Sequence, residues 1–285
     1  MLKLLPLCLF FIMTFGFSQE NEMVEIETND GNIFLGQIVE KSSLEYKLKT
    51  QDGIIISIPL ESVREINTIE TTTSDEGQVW RADPNKSMYL FAPSAFPIEN
   101  HKAYCRDFCL FFPSYNRGFG NNFSVQAGVF VFPGMPLDEV PIVISGKYSL
   151  PQTGPLRIAA GMMYVNFPGE GISFGTGFAF GTATIGNKFT HFSTTVGWGY
   201  VRDEAEWSFA EEPILVFSGN TRISNSFALV AEYWLPPGEG DPTELPVAIS
   251  ARFIGRRIAV DVGGFFSKDM EGIPPPLINF TYHMK

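Results

Sequence analysis

The chain has 285 residues, a formal net charge of -11, only 18% charged residues, 14% aromatics, and 27 each of Gly and Phe. That length holds one large domain and a small one, and the Gly and aromatic content is high for an ordinary globular protein. The acidic balance, with no basic stripe to meet phosphates, argues against nucleic acid as a partner.

Met1 to Ser18 reads as a secretory signal peptide. Lys3 supplies the positive start, Leu4 to Phe15 the apolar core, and Gly16 and Ser18 the small residues a cleavage site needs. The mature chain is then expected to begin at Gln19. Cys8 lies inside the apolar core, too early for a lipoprotein site. Cys105 and Cys109, if they share one strand, stand roughly 13 Å apart, too far for a disulfide, and read as small apolar residues. No later apolar run is long enough for a membrane helix.

Residues 22–67 read as a separate module. VEIET, NIFLGQIVEK, SLEYKLKT, IIISIPL and VREIN are five short strand candidates, with turns at Asp30-Gly31, Ser42-Ser43 and Asp52-Gly53. The DG-N-x-x-x-G-x-I opening and DG-x-x-x-x-I-P close resemble those of SH3-like and Sm-like barrels. Acidic residues outnumber basic ones here, so docking to a periplasmic protein partner is expected rather than RNA binding. Residues 68–86 are polar and without periodicity, as a linker is.

From residue 87 onward, extended segments alternate with breaks. Strands are expected near Ser87 to Ala92, Ala103 to Phe112, Asn122 to Phe132, Val140 to Leu150, Leu156 to Phe167, Ile172 to Ile185, Phe189 to Val201, Glu212 to Gly219, Ser226 to Leu235, Leu245 to Ile254, Arg257 to Ser267 and Pro276 to Met284. Within ISFGTGFAFGTATIGNKFTHFSTTVGWGYV, the residues Phe174, Thr176, Phe178 and Phe180 fall on one face and Gly175, Gly177, Ala179 and Gly181 on the other. After Gly186-Asn187-Lys188, Phe192, Val196, Trp198 and Tyr200 alternate with His191, Ser193, Gly197 and Gly199. Bulky faces are expected to meet hydrocarbon and small faces to line a lumen. The fold class is therefore all-β: a twelve-stranded antiparallel transmembrane β-barrel over residues 87–285, preceded by the small five-stranded module.

Breaks alternate in length, and outer-membrane barrels have short periplasmic turns and longer external loops. Short turns carry Arg117, Lys188, Arg222, Arg256 and Arg257. Long loops carry Glu99, Asp138, Glu139, Glu170, Asp269 and others, giving rims of opposite charge. Trp198, Tyr200, Tyr164 and Tyr233 at one rim, with Phe123 and Phe227 at the other, fit interface girdles; Phe189 has the wrong parity.

DPNKSMYLFAPSAFPI, SYNRGFGNNFSV, ATIGNKFTHFS, SGNTRISNSFALVAEYW and RFIGRRIAVDVGGFFSKD resemble segments of an uncharacterised family of bacterial outer-membrane β-barrel proteins. The resemblance covers roughly residue 83 to the end. It implies a fold, a location in the outer membrane with lipid around the wall, and insertion by the barrel-assembly machinery, but no reaction and no cofactor. Phe280 and Tyr282, rather than a terminal aromatic, are what that machinery would read.

By alternation, Lys147, Arg157, Glu232, Arg252 and Asp261 point into the lumen. A two-residue turn at Gly255-Arg256 would put Ser250 opposite Asp261, with Arg252 its diagonal neighbour. The group reads either as a charged constriction selecting solutes or as an internal ion-pair network filling a narrow barrel, the latter preferred because twelve strands enclose a modest interior. Asp203, Glu204, Glu206, Glu211 and Glu212 form an external acidic cluster with the chemistry to take divalent cations at the lipid surface, although solvated loop charge is the plainer reading. His101, with Ser94 and Glu99 near it in sequence, is the only arrangement suggesting a hydrolase, and no enzyme is expected. The function expected is an outer-membrane barrel that is porin-like or structural. The alternative is a binding protein for a small apolar ligand, suggested by inward Phe130, Phe217 and Phe265.

Overall fold

A computed structural model describes residues 23–50, 52–68, 71–73, 79–81, 83–151, 154–168, 174–203, 206–238, 245–268 and 272–284. The signal-peptide segment lies outside the described residues. The chain divides into two compact units, Met1–Thr71 and Thr72–Lys285.

The first unit is a five-stranded antiparallel sheet of β1 (Met23–Thr28), β2 (Ile33–Lys41), β3 (Glu45–Lys49), β4 (Ile55–Pro59) and β5 (Val63–Thr68), in the order β4-β3-β2-β1-β5. Val24, Ile26, Tyr46, Leu48 and Ile58 from β1, β3 and β4 share one buried cluster, against which Phe34 and Ile38 of β2 and Val63 of β5 pack, so the sheet curls on itself. Gly31 and Gly53 take the left-handed φ their DG turns require, 85° and 81°. Asp30 accepts hydrogen bonds from the Thr28 hydroxyl and from Asn32, which hold its carboxyl below the usual range. Gly36 is needed for packing: a Cβ there would collide with Leu48 and the Lys49 carbonyl. Two short strands, β6 (Thr71–Thr73) and β7 (Val79–Arg81), pair after the sheet.

The second unit contains β8 (Ala103–Phe108), β9 (Phe112–Phe119), β10 (Phe123–Val129), β11 (Ile142–Ser149), β12 (Leu156–Phe167), β13 (Phe174–Gly186), β14 (Thr190–Asp203), β15 (Glu206–Phe209), β16 (Ile214–Ser224), β17 (Phe227–Leu235), β18 (Val247–Ile254), β19 (Ile258–Phe266) and β20 (Pro276–His283). Twelve of these close into an antiparallel barrel, β20 pairing with β8, while β15 folds back on the far end of β14 as a hairpin extension. Closure leaves no open sheet edge. No helix among the described residues is long and apolar enough to cross a membrane. Both ends of the barrel chain, Ala103 and His283, lie at the rim of the short turns.

The strand count agrees with expectation, but two elements differ. Ser87 to Ala92 is not a wall strand; it lies inside the barrel. Ala103 to Phe112 is not one strand; it turns at Cys109 and Leu110, both left-handed at φ 54° and 64°, and β9 then fills the place lost. The barrel wall therefore begins at residue 103, not 87. Both cysteines are free.

Faces follow from burial. Ile144, Met162, Ile185, Trp198, Phe253 and Phe280 point outward and stay exposed, whereas Ser124, Thr182, Thr184, Ser193, Asn279 and Thr281 point inward and are buried. On β14 the small face lines the lumen, as expected. On β13 the expected parity is reversed: Phe180, Thr182 and Thr184 face inward, paired with Gly161, Ala159 and Arg157, and Gly177, Ala179 and Gly181 face outward. Bulk on that outer surface comes from neighbours. Tyr164 and Tyr200 stack with ring centroids 6.5 Å apart and lie over Gly175 and Gly177. The Tyr200 hydroxyl donates to the Met163 carbonyl at 2.7 Å. Glycines thus receive aromatic rings from adjacent strands. Phe189 lies in the turn before β14 and packs edge-on against Trp80 at 5.2 Å, which accounts for its parity.

A Cβ at Gly177 would collide with the Met163 carbonyl and the Tyr200 ring, while Gly181 has open space around it. Gly177→Ala is therefore expected to lower stability by about 2 kcal/mol in a urea titration in detergent, with Gly181→Ala near wild type. Equal effects at the two sites would contradict the outward packing of Tyr200.

Candidate functional site

The barrel interior holds the chain's own segment 83–102. Trp80, just ahead of it, packs on Phe189 at the short-turn rim, and Lys102, at its end, accepts a hydrogen bond from Gly118 at the same rim. The segment therefore enters and leaves by one mouth. Met88 bridges to Pro93, Tyr89 N–H bonds to the Ala92 carbonyl and Ser94 N–H to the Ser87 carbonyl, making a small hairpin whose tip, 89–92, stands midway up the lumen. Gly118 permits the exit, because a Cβ there would collide with the Ile98 and Glu99 carbonyls.

An irregular segment in an interior exposes backbone groups that its own turns cannot satisfy. The wall supplies the partners. Glu232 Oε2 accepts N–H bonds from Leu90, Phe91 and Ala92 at 3.1, 3.0 and 2.8 Å, and its Oε1 accepts one from Trp234 Nε1 at 2.6 Å. Three successive N–H groups thus form a nest around one carboxylate oxygen. Lys147 Nζ donates to the carbonyls of Ser87, Ser94 and Phe96 at 2.9, 2.6 and 2.9 Å, using all three of its donors. The Arg157 guanidinium lies 4.4 Å from the Phe96 ring centroid. Hydroxyls complete the set: Thr184 accepts from Ala95 N–H at 2.8 Å and Ser124 from Ile98 N–H at 2.9 Å.

Arg252 and Asp261 are direct cross-strand partners, not diagonal ones. The turn spans four residues, closed by Gly255 N–H to the Ile258 carbonyl at 2.8 Å, and this shifts the expected register while keeping the faces. Arg252 Nε and Nη2 grip Asp261 at 2.6 and 3.1 Å, and Nη2 also donates to the Tyr89 carbonyl at 2.8 Å. Asn279 Nδ2 donates to Asp261 at 3.1 Å. Sequence reasoning passed over Arg106, which donates to the Tyr89 and Leu90 carbonyls and lies 3.6 Å from Asp261. Alternation from Tyr104 and Phe108 would have found it. Asp83, 4.0 Å from Arg252, falls in the stretch whose composition reads as linker.

All five lumen charges named from sequence face inward, and each except Asp261 contacts the inserted segment directly. Asp203 faces Glu206 across the β14–β15 hairpin, Glu211 and Glu212 are exposed beyond it, and Glu204 lies outside the described residues. Among the described residues, no set of three or more His, Cys, Asp and Glu side chains could hold a metal ion. Glu99 belongs to the inserted segment and pairs with Lys86, so it is not an external-loop charge. His101 is exposed near the short-turn rim and Ser94 is buried against the Lys86 carbonyl, which removes the arrangement suggested for a hydrolase. Phe130 and Phe265 point inward as expected, but Phe217 points outward, stacked on Phe192 at 6.3 Å. The sequence matches no known protein-family model and no curated protein.

The wall charges are expected to be strongly coupled to folding. Glu232→Ala strands three buried N–H groups and should cost about 3 kcal/mol in urea titration, with Glu232→Gln milder. Arg252→Ala, which leaves Asp261 buried without its partner, should cost about 3–5 kcal/mol. A double-mutant cycle between 252 and 261 should then show coupling above about 1 kcal/mol. Additive effects at these two positions would contradict the pairing.

Proposed function

We propose that this chain is a bacterial outer-membrane β-barrel protein with a self-plugged lumen, a structural envelope component rather than an open porin. The observation that carries the reading is the inversion of polarity: an exposed apolar surface surrounds the wall, and the buried interior is charged and hydroxylated. In hydrocarbon every backbone group must be satisfied within the protein, which a closed barrel achieves. Short turns carrying Lys188, Arg256 and Arg257 lie at one rim, and longer connections with Asp138, Glu139, Asp203, Glu206, Glu211 and Glu212 at the other. This polarity supports placing the short turns in the periplasm. The first unit, whose expected partner is a periplasmic protein, is read as periplasmic. Phe280 and Tyr282 lie on the outer face of the last strand, available to the assembly machinery. The plug argues against free solute passage, since Lys147, Arg106, Glu232 and Arg252 all engage it.

Planar-bilayer recordings of the full chain should show no steady current, whereas deletion of residues 83–98 should give ohmic openings. A sustained current from the intact chain would overturn the plugged reading. Membrane placement is tested separately. A fluorophore at Ala179→Cys should be quenched by bromine-labelled lipid and one at Thr182→Cys should not; equal quenching at both would remove the membrane assignment.

A further inference from the structure

The lumen is divided along its axis, and the half nearest the long loops is apolar. Phe91, at the plug tip, touches Phe108, Trp234 and Phe112 with ring centroids 5.2, 5.9 and 6.3 Å away. Phe112 stacks on Phe130 at 4.6 Å, and Trp234 meets Phe178 edge-on at 6.4 Å. These rings form a continuous arc. Only Phe112 is fully buried; the other five face inward yet remain only half-buried. The plug does not fill this half. Two voids of about 50 and 10 Å³ meet at Pro93 and Phe178; the larger runs from Phe91, Met163 and Phe180 down beside the plug past Gln126 and Ser124 to Tyr104 and Asn116, and the smaller passes Ile214, Val216 and Trp234.

The geometry points to this aromatic cup as a binding site for a small neutral apolar molecule, an aromatic ring or a short acyl chain. Neutrality follows from the single carboxylate nearby. Glu232 already accepts four hydrogen bonds, three from the plug tip and one from Trp234, and has no capacity to hold a cationic ligand. Lys147, which borders the larger void, has its three donors committed to plug carbonyls, so it offers nothing to an anion. The larger void also touches Ser87, Tyr104, Asn116, Ser124 and Gln126, whose polar groups already hydrogen-bond within the protein, and the rest of its lining is mainly ring surface and soft thioether, suited to dispersion and edge-to-face contacts. The voids at rest are smaller than the roughly 150 Å³ of an apolar cavity that takes benzene, so an occupant turns Phe178 or Phe91 aside. The site does not depend on the membrane assignment, because it is built entirely from inward-facing residues.

The test uses the full chain in nanodiscs titrated with N-phenyl-1-naphthylamine, with empty nanodiscs subtracted. Gly197 lines the smaller void, and a Cβ there makes only ordinary contacts, 3.5 Å from Phe178. Gly197→Ala therefore fills the cup without disturbing the wall. Saturable binding of one probe per chain is expected, weakened about tenfold by Gly197→Ala and unchanged by the outward control Gly181→Ala. Non-saturable uptake, or equal affinity in the two variants, overturns the proposal. An organic extract of the purified chain carrying one acyl lipid per barrel, displaced by the probe, identifies a lipid as the natural source of this chemistry; a lipid-free extract identifies a free small molecule.

Discussion

The structure depends on how a non-repetitive stretch of backbone is accommodated inside a closed wall. Buried N–H and C=O groups without partners are costly, and residues 83–102 have too few partners of their own. The wall answers with charge: one carboxylate accepts three successive N–H bonds at Leu90–Ala92, one ammonium donates to three carbonyls, and two guanidiniums share the Tyr89 carbonyl. Charge-assisted hydrogen bonds are stronger than neutral ones, so a few wall residues suffice to fix the path of the segment.

That constraint explains the axial division of the lumen. The charged contacts lie from mid-lumen toward the short-turn rim, where the two legs of the inserted hairpin run side by side. Above the tip no backbone needs satisfying, and wall positions there are free to be apolar. Trp234 sits at the boundary, its indole N–H tied to Glu232 and its ring turned toward Phe91. Along β13 the same boundary explains the reversed faces. Phe178 and Phe180 pack toward the plug, and Thr182 and Thr184 continue inward where hydrogen-bonding partners are present.

Much of this was legible in the residues. Alternation placed Lys147, Arg157, Glu232, Arg252 and Asp261 on inward faces because each lies on a strand with unambiguous bulky neighbours. It failed on β13, where Phe-Gly alternation satisfies either orientation: a glycine face turned outward works only because Tyr164 and Tyr200 reach over from adjacent strands, and such cross-strand cover has no trace in one strand's pattern. SMYLFA has the composition of a strand, but Pro84, Pro93 and Pro97 around it restrict the backbone and were the available warning. Cys109 and Leu110 carried no turn signal, since left-handed backbone is ordinarily the province of Gly, Asn and Asp. One false strand and one missed strand cancelled, so the count of twelve was reached by compensation. The β18–β19 register moved because a four-residue turn and a two-residue turn leave the same faces inward, and facing alone does not choose between them.

A plug held through its backbone constrains the two partners unequally. Of the plug's side chains, Tyr89, Ser87 and Phe96 make specific wall contacts, through Ser193, Tyr104 and Arg157, but the groups gripped at the tip are peptide N–H and C=O, which nearly any residue supplies. The wall residues have no such freedom. Replacing Glu232 removes four acceptances at once, and replacing Lys147 removes three donations, in a region where water is largely displaced. Apart from Tyr89, the side chains at the tip, Phe91 above all, are therefore free of hydrogen-bond fastening and available to shape the apolar cup. The wall fixes where the plug lies, and the plug's tip residues set the surface that the outer half of the lumen presents.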